Sequence, residues 1–285
     1  MEPLLYIVPT PIGNLEDLTF RALRVLQSVD RIVAEDTRHT LKLLQHYDIH
    51  KPLTSYHEHS PPQRLAELLG LLTAGSRLAL VSDAGTPGIS DPGRALVQGC
   101  WERGVVLEVL PGACACITAL VSSGLETGRF VFEGFLPARG RERQERLAQC
   151  QHETRTLIFY EGPHHLRQTL QDLIHWLGTD RELVLARELT KLHAQVWRGT
   201  LAQALVDFPQ PRGEFTLVVQ GRAVAVETVD DAFLQARLAE LLARGLSPSA
   251  ASRLVAQQTG ISRNHIYQLT LSTHHNKEGS LEDPG

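Results

Sequence analysis

The sequence predicts an α/β protein of two α/β domains followed by a small C-terminal helical module. Three observations predict it. Short apolar runs alternate with stretches of helical periodicity through about the first 220 residues. Each apolar run ends in a loop of glycine, proline or polar residues. From Asp230 onward the pattern is purely helical.

In chain order, residues 4–8 read as a strand, followed by the loop Pro9-Thr10-Pro11-Ile12-Gly13-Asn14. Residues 19–29 read as a helix with Ala22, Leu23, Leu26 and Val29 on one face. A second strand, 31–34, ends in the polar cluster Glu35-Asp36-Thr37-Arg38-His39-Thr40, which opens a helix. A third, 53–56, ends at His57-Glu58-His59, and a helix follows over 63–72. The run Leu78-Ala79-Leu80-Val81 is a buried strand leading into Ser82-Asp83-Ala84-Gly85-Thr86-Pro87-Gly88-Ile89-Ser90-Asp91-Pro92-Gly93. There Asp91 is expected to cap the next helix, with Pro92 at its first position. A fifth strand, 105–110, ends at Pro111-Gly112-Ala113-Cys114-Ala115-Cys116. Such alternation predicts a parallel sheet whose strand ends collect Asn14, Asp36, His57, Asp83 and Cys114 on one edge.

A second α/β pattern follows, with strands expected at 130–132, 156–160, 183–186, 197–200 and 215–219. The expected domains are 1–120, 121–222 and a helical module over 229–273, with 274–285 a disordered tail. In the module, Ala256, Gly260 and Ile266 have the spacing of a helix-turn-helix.

Composition narrows the function. The 285 residues are 42% hydrophobic with a formal net charge of −4, so any nucleic-acid contact must use local patches. No apolar run is long enough to span a membrane. The start Met1-Glu2-Pro3-Leu4-Leu5 lacks the basic region and cleavage pattern of a signal peptide. Cys100, Cys114, Cys116 and Cys150 form no C-x-x-C pair, so a reduced, cytoplasmic protein is expected. There is no phosphate-binding P-loop, no G-x-G-x-x-G after a strand and no G-x-S-x-G elbow. His57-x-His59 fixes no third ligand, and no metal site is expected.

Two basic groups are candidates for RNA contact. Arg139, Arg143 and Arg146 fall on roughly one helix face, although Glu142 and Glu145 are interleaved as on an ordinary solvated helix. Residues 241–273 carry Arg244, Arg253 and Arg263 and no acid. Arg38, beside Asp36 at a strand end, is a further candidate.

Taken together these loops resemble one family. The motifs are Val8-Pro9-Thr10-Pro11-Ile12-Gly13-Asn14-Leu15, Ala34 to Thr40, Ser55-Tyr56-His57-Glu58-His59 and Val81 to Gly93. Phe132-Glu133-Gly134-Phe135-Leu136-Pro137, Ala186-Arg187-Glu188-Leu189-Thr190-Lys191 and Gly213-Glu214-Phe215 continue the series. The chain resembles the tetrapyrrole-methylase superfamily and, within it, the bacterial 16S rRNA (cytidine-2′-O)-methyltransferases.

The resemblance implies S-adenosylmethionine as cofactor, held in a cleft between two α/β domains. It implies methylation of a cytidine ribose in the decoding region of 16S rRNA, hence the small ribosomal subunit as partner, and a homodimer. By match to the superfamily, Asp83, Ala84, Gly85, Thr86, Pro87, Cys114, Ala115, Tyr160 and Ala186 form the cofactor site. The reacting hydroxyl needs a proton acceptor or a neighbour that favours its alkoxide, for which Asp36, Glu161, Glu188 and Lys191 are candidates. Two departures stand out. The family's Leu-Pro-Gly-Pro-Ser-Ala is Leu110-Pro111-Gly112-Ala113-Cys114-Ala115 here, and its Tyr-Glu-Ser-Pro-His-Arg is Tyr160-Glu161-Gly162-Pro163-His164-His165. The alternatives are a superfamily methyltransferase with another substrate, such as a tetrapyrrole carbon, and a non-catalytic RNA-binding ribosome-assembly factor.

Overall fold

The computed structural model of the chain describes residues 2–223 and 230–278. It divides into two compact units, Met1–Arg222 and Ala223–Gly285.

The first sheet contains β1 (Leu5–Ile7), β2 (Arg31–Ala34), β3 (Leu53–Ser55), β4 (Leu78–Val81) and β5 (Leu107–Val109). All pairings are parallel, in the order β3-β2-β4-β1-β5. The continuous apolar run of β4 is explained by burial of all four of its residues, the mark of a strand covered on both faces. Helices α1 (Phe20–Ser28) and α2 (Thr37–His46) cover one face through Ala22, Leu26 and Leu44 against Ile32, Ala34, Ala79 and Val81. Helices α3 (Pro62–Thr73) and α4 (Arg94–Glu102) cover the other through Leu68, Leu72 and Leu96 against Leu5, Val33, Leu78 and Leu80.

Adjacent strands β1 and β4 send their chains in opposite directions across the sheet, which opens a crevice at their carboxyl ends. One expectation at this edge is corrected. Asp91 does not cap a helix: α4 starts at Arg94, and its N-cap is Gly93 at φ +144°. A Cβ on Gly93 would lie 2.9 Å from Leu80 Cδ2, so the helix start is set by close packing rather than by a side-chain cap.

The second sheet contains β6 (Phe130–Phe135), β7 (Thr156–Glu161), β8 (Glu182–Arg187), β9 (Gln195–Thr200) and β10 (Phe215–Val219), in the order β6-β7-β10-β8-β9. It is mixed: β6 and β7 are parallel, while β10 pairs antiparallel with β7 and β8, as does β9 with β8. Helices α6 (Arg141–Cys150), α7 (Leu166–Leu177) and α8 (Leu201–Asp207) cover one face, with Leu147, Leu170 and Leu201 packed against Leu157, Phe159 and Leu217. The other face is covered by α5 (Ala115–Ser123). That helix follows β5 of the first sheet, yet Cys116, Ala119 and Leu120 pack on Ile158, Val184 and Val218 of the second.

In the second unit, α9 (Asp231–Ala243), α10 (Pro248–Thr259) and α11 (Arg263–Glu278) enclose Leu234, Leu238, Leu241, Ala251, Val255 and Ile266. Ser247 caps α10, and Gly260, at φ +72°, turns the chain into α11. Disorder was expected from residue 274, but α11 runs to Glu278. Val229, at the start of the expected module, and residues 279–285 of the expected tail lie outside the described residues. Among the described residues no helix is long and apolar enough to cross a membrane.

Candidate active site

The loops at the carboxyl ends of the strands are tied to one another. Thr10 and Gly85 exchange both backbone hydrogen bonds, at 2.9 and 3.0 Å, which joins the loop after β1 to the loop after β4. Thr86 Oγ1 donates to the Ala113 carbonyl at 3.0 Å, joining the β4 loop to the β5 loop. From the second sheet, Thr190 Oγ1 accepts the backbone N–H of Asn14 at 3.1 Å. A Cβ on Gly13 would lie 2.5 Å from Lys191 Cγ and 2.8 Å from the Leu189 carbonyl oxygen, so only glycine lets these two loops meet.

These contacts enclose a cavity of about 430 Å³, within the usual size of a small-ligand site. Of the residues expected at the cofactor, Asp83, Ala84, Gly85, Thr86, Cys114, Ala115, Tyr160 and Ala186 all line it. Pro87 does not; it is buried behind the loop. Ile12, Ile89 and Phe215 supply apolar wall. The donor set fits S-adenosylmethionine: an apolar slot for adenine, carboxylates for ribose and ammonium groups, and a Gly85 backbone at φ +84° that a ligand can approach. Asp83 is oriented for this, its Oδ1 accepting the backbone N–H of Asp36 at 3.1 Å. Tyr160 Oη accepts the N–H of Cys116 at 3.0 Å, and burial beside the two cysteines pushes its phenol up.

The catalytic candidates divide. Asp36 is not in the wall: its Oδ1 caps α2 through the Arg38 N–H at 2.8 Å, and its Oδ2 holds Arg38 Nη2 at 2.7 Å. Those hydrogen bonds hold its carboxyl far below the usual range, and it stands outside the cavity. Glu161, Glu188 and Lys191 do line the cavity. Lys191 Nζ donates to Glu188 at 2.8 Å and to Glu214 at 2.9 Å. Burial alone would push the Lys191 ammonium down, but the two carboxylates outweigh it and hold the ammonium up. Glu188 is opposed by burial, but the lysine and the Glu214 N–H bring it down. Lys191 is therefore a protonated group on the cavity wall, held between Glu188 and Glu214. Glu161 is buried, its Oε2 accepting the Thr169 hydroxyl at 2.5 Å and its Oε1 the Gly162 N–H at 3.0 Å.

Several arginines assigned to RNA do other work. Arg143 is only 4% exposed; its Nε donates to Asp172 at 2.8 Å, Nη1 to the Pro137 carbonyl and Nη2 to Thr169, each at 2.9 Å. Its partners lie too far along the chain to be read from local spacing, so a helix-face pattern mistook a buried ion pair for a surface charge. Arg146 is half-buried and paired with Glu133 at 2.7 Å. Arg38 is exposed but engaged with Asp36, and Arg139 is exposed just before α6. In the second unit Arg253 and Arg263 are exposed, while Arg244 pairs with Glu240 at 2.6 Å. An acid one turn upstream, outside the acid-free stretch, thus offsets part of that patch.

Sequence reasoning missed Glu35, Ser90 and Asp91 on the cavity wall. Asp91 was read as a cap, and Glu35 as part of a helix-opening cluster. Burial first, then the neighbouring Glu35 and Asp83 carboxylates, push Asp91 up to about 7 despite an opposing hydrogen bond from Ser82.

The fold, the cavity and the relatives that follow define the class, an enzyme that uses S-adenosylmethionine as methyl donor. The profile of the Tetrapyrrole (Corrin/Porphyrin) Methylases matches residues 4–205, and that of the RsmI C-terminal HTH domain matches residues 228–273. The chain is 52% identical to the ribosomal RNA small subunit methyltransferase I of Synechocystis sp., over 94% of this chain and 97% of that protein. It is 46% identical to the protein of that name from Escherichia coli, over 94% of each. The solved structure of the Thermus thermophilus uroporphyrin-III C-methyltransferase with S-adenosylhomocysteine shares the fold, at a TM-score of 0.54 and 19% identity, covering 76% of this chain and 96% of that one. The chain belongs to the ribosomal RNA small subunit methyltransferase I family of the tetrapyrrole methylases.

Proposed function

We propose that this protein methylates the ribose 2′-hydroxyl of a cytidine in the decoding region of 16S rRNA, acting on the small ribosomal subunit in the cytoplasm as a homodimer. The observation that carries the reading is the 52% identity along 97% of the Synechocystis relative's length. The walls of the cavity support it. S-adenosylmethionine, when bound, supplies an electrophilic methyl group on a sulfonium. The chain's part is alignment: the loops after β1, β4, β5 and β8 are cross-linked by hydrogen bonds, so a ligand among them is held without rearrangement. Asp83 and Glu161 serve as fixed acceptors, and the Lys191 ammonium favours negative charge on the reacting oxygen.

The test is methylation of small subunits taken from a bacterium lacking the modification, with labelled donor. Digestion to nucleosides and mass spectrometry should give 2′-O-methylcytidine, and mapping of nuclease fragments should place it at one position. Label in a base, or none in RNA, overturns the reading. Sedimentation of the purified protein tests the dimer, for which Ile117 and Val121, 45% and 71% exposed one turn apart on α5, offer apolar area.

A further inference from the structure

A second cavity of about 830 Å³ adjoins the first, and the two share Glu35, Ser90, Asp91 and Phe135 as a common wall. Its other walls include Tyr56, His57 and Arg94 from the first sheet's side and Phe132 and the Arg146–Glu133 pair from β6 and α6. The junction is built by two unusual backbone positions. Strand β6 shifts register between Phe132 and Gly134, and Gly134 sits at φ +61°. A Cβ there would lie 2.9 Å from Ser90 Oγ, and Ser90 itself sits at φ +61°. A bulge in one sheet thus meets a strained loop residue of the other. Such strain persists where surrounding structure enforces it, and it gathers at functional sites. Phe135, one residue past Gly134, stands 54% exposed and, like Asp91, lines both cavities.

In-line displacement imposes a geometric demand. The acceptor oxygen must reach the methyl carbon from the side opposite sulfur, so the acceptor's site must open into the donor's. Among the described residues, the wall of Glu35, Ser90, Asp91 and Phe135 sets the two cavities side by side, the adjacency that this demand requires. We infer that the second cavity receives the splayed-out target nucleoside, with Phe135 as a stacking face, and that Asp91 takes the proton of the reacting ribose hydroxyl. This rests on the function proposed above. Single-stranded bases are commonly recognised by stacking on aromatic side chains. Arg94, exposed at the start of α4, offers charge for a flanking phosphate. In the reaction the hydroxyl oxygen gives its proton to the Asp91 carboxylate and an electron pair to the methyl carbon. The pair of the broken carbon–sulfur bond stays on sulfur, which becomes a neutral thioether.

The electrostatics of the junction suit the role. Asp91 faces Glu35 and Asp83 across the wall, with Ser82 at its side and His57, Glu58 and Arg94 around the second cavity. Glu35 is itself raised, by burial first and then by Asp83. An Asp91 near 7 is partly ionised at neutral pH and still a usable base, the match that proton transfer favours.

The experiment compares wild type with Asp91→Asn, Asp91→Glu and Arg94→Ala on unmodified small subunits, alongside calorimetry with S-adenosylhomocysteine. Wild-type protein that leaves the ribosomal RNA unmodified defeats the proposed function itself, whatever the variants do. Given an active wild type, Asp91→Asn should lower kcat by about 100-fold or more. Its S-adenosylhomocysteine Kd should stay within about twofold, its KM for subunits should change little, and the acid limb near pH 7 should disappear. Asp91→Glu should recover part of kcat. Arg94→Ala should raise KM for subunits about fivefold with S-adenosylhomocysteine binding unchanged. An Asp91→Asn enzyme with near wild-type kcat, or one that has lost S-adenosylhomocysteine binding, overturns the role of Asp91. An Arg94→Ala enzyme with unchanged KM overturns the assignment of the second cavity.

Discussion

Tyr160 and Cys116 are joined by a hydrogen bond of 3.0 Å in which the phenol oxygen accepts the backbone N–H from the first turn of α5. The bond satisfies a helix N-terminal donor that no side-chain cap serves, since Cys114 at the N-cap makes no capping bond. It also fixes the Tyr160 ring against Phe132 and Phe135, with ring centroids 5.0 and 5.6 Å away. Tyr160→Phe should therefore cost about 1 kcal/mol of stability. It should also weaken S-adenosylhomocysteine binding several-fold, because the lost hydroxyl is what ties the cavity-lining ring to the start of α5. Urea unfolding and calorimetry check the pair; unchanged values in both would show that the bond carries nothing.

Asp83→Ala should weaken S-adenosylhomocysteine binding about tenfold, roughly 1.4 kcal/mol, with little change in melting temperature. The carboxylate sits on the cavity wall and, among the described residues, accepts the backbone N–H of Asp36 on the neighbouring loop. A wild-type Kd in this variant would remove Asp83 from the ligand's contacts.

Cys114 and Cys116 place their sulfurs 3.3 Å apart. The hydrogen bond from Cys116, opposed by burial but aided by backbone N–H groups of α5, lowers the Cys114 thiol to about 6. Cys116 is pushed the other way by the same contact. Cys100 and Cys150 are buried, and burial raises them to about 11 and about 12. Because the thiolate is the nucleophile, iodoacetamide should label Cys114 first, at a rate that rises as pH passes through about 6. S-adenosylhomocysteine should protect it. Cys114→Ser, which restores the residue usual in the family, should fold and bind normally. Peptide mapping that finds Cys100 or Cys150 labelled first would contradict this ordering.

Arg143→Ala should destabilise the fold by about 3 kcal/mol, since it strands Asp172 and leaves Thr169 without its donor. Among molecules that remain folded, binding to small subunits should be unaffected. Arg139→Ala should do the opposite: leave stability alone and reduce the salt slope of subunit binding by about one. Equal slopes for wild type and Arg139→Ala would remove Arg139 from the RNA surface.

Ending the chain after Arg222 should leave S-adenosylhomocysteine binding unchanged and weaken subunit binding. The residues removed form a separate compact unit with its own apolar core. Within it Arg253→Ala and Arg263→Ala should matter more than Arg244→Ala, whose charge is already met by Glu240. Such contacts carry a salt-dependent part of affinity. A truncated protein that loses S-adenosylhomocysteine binding would show that the tail completes the first unit.

Much of this arrangement is legible in the sequence because it depends on local rules. A buried parallel strand must be apolar throughout, and residues just past its end must face the crevice. That is why the stretch from Asp83 to Thr86, and Cys114, come from distant segments onto one wall, while Ala115, Tyr160 and Ala186, the last two inside strands of the mixed sheet, were expected there only from the family resemblance. What failed depends on partners far along the chain. Asp91 has the spacing of a cap, but close packing of Gly93 on Leu80 delays the helix by two residues. Arg143 has the spacing of a solvated face, but α7 brings Asp172 and Thr169 beneath it. Asp36 stands at a strand end like a proton acceptor, and its role as the cap of α2 became visible only with that helix's backbone. The antiparallel pairings of the second sheet were likewise not implied by its alternation of strands and helices.

The strands of each sheet are contiguous in sequence, and α5 carries the chain from one sheet to the other. A growing chain can therefore complete its first sheet before the second has been synthesised. The contacts that close the cavity, Asn14 to Thr190 and Gly13 against Lys191, join the two halves and cannot form until the chain has been made past residue 191. Loops of both halves line the cavity, so a donor bound there should slow the undocking of the halves far more than the unravelling of either. The metabolite would act on this enzyme as a clasp as well as a reagent, and starvation for it would shorten the lifetime of the assembled catalyst.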